Sequence, residues 1–84
     1  MQITPNEKID KNLSERIRAN VRKTDMIQIS LASDVTTYGT LKAIVFMENP
    51  IKEKHIPALK SLIQRAIDNA DERELHKQFL KNYL

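Results

Sequence analysis

The sequence predicts a mainly α-helical chain with one β-strand per copy, the strand pairing across a homodimer, and extra helices at the N- and C-terminal ends. Three observations predict this. Apolar residues recur at helical spacing before and after the middle of the chain, as Ile9, Leu13, Ile17 and Val21 and again as Leu59, Leu62, Ile63, Ala66, Ile67 and Ala70. Residues 25–32 instead alternate, with Ile27, Ile29 and Leu31 on one face of an extended segment and Met26, Gln28, Ser30 and Ala32 on the other. A single strand cannot satisfy its own backbone donors and acceptors, so the same strand of a second copy is the expected partner.

The chain has 84 residues, enough for one domain with a thin core, and a dimer is the simplest supplement to such a core. It has no cysteine, which excludes disulfides and thiolate metal sites. No apolar run approaches the roughly 20 residues that span a bilayer. The first residues also lack the charged-then-apolar order of a signal peptide, so the expected location is cytoplasmic. The net charge is +3, and its surplus lies upstream of the strand. Residues 1–24 carry six basic and three acidic side chains, and Arg16, Arg18, Arg22 and Lys23 lead into residue 25. That placement suits a polyanion whose phosphates flank the strand, although a solvated helix face has the same composition.

The elements follow in order. Thr4-Pro5-Asn6-Glu7 has the pattern of a helix start, with a cap, a proline at the first helical position and a capping carboxylate. The stripe from Ile9 to Val21 then predicts a helix over 5–22, and residues 1–24 form a basic, loosely attached N-terminal helix or arm. The core spans residues 25–70. Ser33-Asp34 offers a cap, and Val35, Tyr38, Leu41, Ile44, Val45 and Met47 predict a helix over 34–48. Gly39 costs that helix about 1 kcal/mol relative to alanine. The rival assignment makes Leu41–Met47 a second strand, giving an α+β fold with an intrachain hairpin 26–32/41–47. Residues 50–56 form a connector, Pro57 opens the main core helix, and Asp71-Glu-Arg-Glu74 starts a short last helix over 71–84 carrying Leu75, Phe79, Leu80 and Tyr83.

The order strand, helix, connector, helix resembles the ribbon-helix-helix family of DNA-binding proteins. The likeness is carried by Ile27-Gln-Ile-Ser-Leu31 with Ala-Ser-Asp after it, Leu41-Lys-Ala-Ile-Val45, and Leu62-Ile-Gln-Arg-Ala-Ile67, over residues 24–70. The connector is longer than in that family, and Gly39 interrupts the first helix. The resemblance implies that two copies pair their strands antiparallel, with Ile27, Ile29 and Leu31 sealing the dimer core. The opposite face then enters the major groove, where Gln28 and Ser30 are the base contacts and Met26 offers an apolar one. It also implies a phosphate at the N-terminus of the second helix, held by the amides of Ala58 and Leu59 with Lys54, His55 and Lys60 nearby, while Arg22 and Lys23 clamp the backbone before the strand.

Catalysis has little support in the sequence. His55 and His76 show no metal-ligand spacing, the lone Gly39 rules out glycine-rich phosphate loops, and no catalytic residue, metal or cofactor is expected. Two functions of different classes are expected. One is a homodimeric, sequence-specific DNA-binding protein serving as a transcriptional regulator, in an antitoxin operon, or as an accessory factor in plasmid partition or conjugation. The other is a small α+β protein-interaction module that docks through its hairpin and its C-terminal helix.

Overall fold

A computed structural model of the chain describes residues 3–70 and 74–84. Among the described residues there are five α-helices, one 3-10 turn and no strand. Helix α1 covers Lys11–Asn20, α2 Lys23–Leu31, α3 Tyr38–Val45, α4 Ile56–Asn69 and α5 Glu74–Lys81, and the 3-10 turn Glu53–His55 leads into α4.

The N-terminal helix begins later than its apolar pattern suggests. Asn6 takes a left-handed backbone conformation (φ 69°), and Ile51 is hydrogen-bonded on both sides, accepting from the Asn6 amide and donating to the Glu7 carbonyl. That exchange holds residues 6–7 out of a helix, so Asp10 rather than Thr4 caps α1, accepting from the Asn12 amide at 2.9 Å. The stripe itself is core: Ile9, Leu13, Ile17 and Val21 are all buried. Residues 9–21 are therefore an integral layer of the fold and not a loosely attached arm.

The predicted strand over 25–32 is helix α2, so neither the intermolecular ribbon nor the 26–32/41–47 hairpin forms. Two local reasons favour the helix. The Asp25 carboxylate accepts the Arg22 amide at 2.9 Å at the first turn. Met26 and Ile29, three apart, fall on one helical face and are buried against the body of the protein.

Helix α3 is shorter than the predicted 34–48. Ser33 closes a turn instead of capping a helix, its Oγ accepting from the amides of Val35 and Thr36. The cap is Thr37, whose side chain accepts the Thr40 amide at 3.2 Å. At the other end Met47 is left-handed (φ 60°), its amide donates to the Ile44 carbonyl, and the Glu48 amide reaches back to the Ala43 carbonyl at 2.8 Å. This is a Schellman closure, with methionine where glycine is usual.

The main core helix is α4. As its pattern predicts, it opens with Pro57 in the first turn and buries Leu59, Leu62, Ile63, Ala66 and Ile67. It packs against α1, α2 and α5, and α3 closes over α1 and α2. A buried hydrogen bond from the Ser14 hydroxyl to the Val45 carbonyl fastens α1 to the end of α3. Leu80 and Tyr83 bring the C-terminal helix into the same core. The predicted cap at Asp71–Arg73 lies outside the described residues, as do the side chains of Leu75 and His76.

Candidate nucleic-acid interface

Three hydrogen-bonding groups fix the pair α2 and α3 on the body of the protein. Arg65 of α4 donates from Nη1 to Asp25 Oδ1 and to Gln28 Oε1, each at 2.9 Å. Asn69 of α4 donates to the Asn20 carbonyl at 2.9 Å and to Asp25 Oδ2 at 3.2 Å, which ties the α1–α2 corner to the same helix. Burial pushes the Asp25 carboxyl up, but the Arg22 amide, Arg65 and Asn69 outweigh it and hold the group below its ordinary value. On the other side, Thr36 Oγ1 and His55 Nδ1 share a buried hydrogen bond of 2.7 Å. Thr36 immediately precedes the cap of α3, so this bond fastens the entry of α3 to the turn that carries Lys54.

The outer face of α3 is set by the periodicity of its inner one. Leu41, Ile44 and Val45 are buried, which leaves Gly39, Lys42 and Phe46 pointing outward at spacings of three and four, with Thr40 and Ala43 half-buried at the margins. Basic side chains border this face at both ends. The Lys23 ammonium lies 5.7 Å from the Tyr38 ring at the first residue of α3. At the last turn the Arg18 guanidinium lies 5.2 Å and the Lys42 ammonium 6.0 Å from the Phe46 ring. Over residues 16–47 there are five basic and two acidic side chains, a surplus of three. One of those acids, Asp25, is engaged by Arg65.

The residues expected to touch bases are not brought together. Met26 and Ser30 are buried, and the Ser30 hydroxyl donates to the Ile27 carbonyl at 2.8 Å. Gln28 is exposed but serves as an acceptor for Arg65. The expected dimer core is also dispersed by the helical turn: Ile29 belongs to the chain's own core, Ile27 is half-buried, and Leu31 is 80% exposed. Of the expected phosphate contacts, Arg22, Lys23, Lys54 and Lys60 are exposed. His55 is turned inward onto Thr36, and the side chains of Ala58 and Leu59 are buried. Burial, with Lys54 and Lys52 alongside, lowers the His55 pKa and favours the neutral ring.

The face of α3 was not legible as a site because Gly39 reads in the sequence only as a weak point in a helix. Its signal is the run Thr36-Thr37-Tyr38-Gly39-Thr40, where short polar residues and a glycine open an otherwise apolar helix. A cleft between the N-terminal segment and the C-terminal end is lined by Ile3, Thr4, Glu7, Lys8, Ile51 and Tyr83 among others. Among the described residues no cluster of His, Asp or Glu is arranged to hold a metal ion, and no helix is long and apolar enough to cross a membrane. No protein-family model, curated protein or solved structure matches the chain.

Proposed function

We propose that this chain binds duplex DNA, and that α2 and α3 act as a helix-turn-helix pair in place of the expected ribbon. In that arrangement the second helix lies in the major groove with its N-terminal residues at the base edges, while the first crosses the backbone. The observation that carries the reading is the outward face of α3, open at Gly39 and bordered by Lys23, Lys42 and Arg18 from three successive helices. Thr37 and Thr40 place hydroxyls at the start of that face; the Thr37 hydroxyl donates to Thr40 Oγ1 at 3.0 Å and accepts the Thr40 amide, so the Thr40 hydroxyl is the one that can donate to a base. In such a docking the exposed side chains Arg18, Arg22, Lys23 and Lys54 would supply the phosphate contacts.

Two copies on one site are part of the proposal. A single module of this size buries about 600–1,000 Å² on DNA, whereas specific complexes bury about 1,000–2,500 Å². Two such units on neighbouring half-sites, about 34–36 Å apart, supply the larger interface. The biological role that follows is regulatory, through occupancy of a site on DNA, and no chemistry on the nucleic acid is required.

A second reading, a module that docks on another protein, is favoured by one observation: Leu31 and Val35, at 80% and 54% exposed, sit close together in sequence at the end of α2 and in the turn that follows. Titration onto random-sequence duplex DNA at two salt concentrations separates the readings. The DNA reading predicts binding that weakens steeply with salt, and Lys23→Ala and Lys42→Ala each reduce the salt slope by about one. Gln28→Ala, which would disable a ribbon reader, leaves binding unchanged. A folded protein that does not bind duplex even at low salt overturns the reading in favour of protein docking.

A further inference from the structure

Gly39 is the chain's one glycine, and it occupies the second position of α3, where alanine would make a more stable helix. Neither usual reason for glycine applies. Its φ is not positive, so no left-handed turn demands it. A Cβ built there would meet nothing within 4 Å, so no neighbour in the fold crowds it out. Nothing among the described residues accounts for the missing side chain at a position where its absence weakens the helix.

Gly39 is in the first turn of the outward face, between the Lys42 and Ala43 positions one turn on and the Thr37 cap before it. Thr37, Thr40 and Ala43 are short, so the first turn of the helix is low beside Gly39, while Lys42 and Phe46 continue the outward face and Lys23 and Arg18 stand at its two ends. Short side chains reach base edges only if the helix backbone itself comes close to the groove floor, and a side chain at residue 39 would hold it off. Long cations at the rim reach phosphates at either separation.

We infer that Gly39 is the point of closest approach between this chain and the base edges of the major groove, and that its bareness sets sequence discrimination more than overall affinity. The inference rests on the helix-turn-helix reading above and deepens it. Its test compares wild type with Gly39→Ala, each titrated at fixed salt onto a duplex selected by the wild type from a random pool and onto a scrambled duplex, with thermal melting recorded in parallel. The alanine variant should melt at a higher temperature and lose tenfold or more in affinity for the selected duplex. On the scrambled one, where phosphate contacts dominate, it should bind as the wild type does.

Unchanged or tighter binding of the selected duplex by Gly39→Ala overturns the inference, as does an equal loss on both duplexes, which would place residue 39 against the sugar-phosphate backbone. A variant that melts lower than wild type also overturns it, since the glycine would then be serving the fold. Failure of the wild type to bind any duplex is a different result and removes the DNA reading itself.

Discussion

His55 illustrates how a residue can be correctly placed near a site and still have a different role. In the sequence it lies between Lys54 and the helix start, where a phosphate contact is a reasonable expectation. In the fold it is buried against Thr36, nineteen residues away, a pairing that no local pattern announces. Because burial and the two lysines lower its pKa, the unfolded chain binds a proton more readily than the folded one. The stability this confers is complete above the unfolded value of about 6.5 and is lost as pH falls below it. The urea midpoint should therefore drop between pH 8 and pH 5.5, and His55→Gln should flatten that dependence. Asp25 acts in a lower window. Its folded pKa is depressed, so its contribution is complete above an unfolded value of about 3.8 and fades as pH falls further. Asp25→Ala removes the bond to the Arg22 amide and the partner of Arg65 together, and should cost about 1–2 kcal/mol by denaturant titration at pH 7.

At the scale of the element, residues 25–32 show why a short apolar run resists assignment. Ile27, Ile29 and Leu31 satisfy a period of two, and β-branched isoleucines favour strands. The same eight residues also satisfy a helix through Met26 and Ile29, and packing against the rest of the protein decides the matter. The signal for a helix was Asp25, three residues after Arg22, which offers an acidic first turn that a strand would not use. The two assignments differ in what truncation does. In a ribbon, Ile29 and Leu31 share one buried face and would cost alike; in α2, Ile29→Ala should cost about 2–4 kcal/mol while Leu31→Ala stays within about 0.5 kcal/mol. Helix α4 was legible from the start because its apolar face is wide and its start is marked by Pro57. The limits of α1 and α3 were not, since they are set by Asn6 pairing with Ile51 and by the left-handed Met47.

For the whole molecule, the radius of gyration of 11.5 Å is close to the roughly 12 Å expected of a folded chain of this length, and one core runs from Ile9 to Tyr83. Among the described residues no lone strand is left to require a second copy, so a dimer would have to come from the demands of a DNA site. The mainly helical class was readable from periodicity, while the packing of α2 and α3 on α1 and α4 was not. That packing depends on Asp25 meeting Arg65 forty residues on and Thr36 meeting His55. It also moves the candidate site from residues 26–30 to the next helix, beside which Lys23, Arg18 and Lys42 lie. Amide chemical shifts recorded while duplex DNA is added to the isotope-labelled protein at low salt test this placement. The account predicts that the largest changes fall on residues 37–42, with smaller ones at Arg18, Arg22, Lys23 and Lys54. Changes centred on α4 or α5, or none in a protein that remains folded, would contradict it.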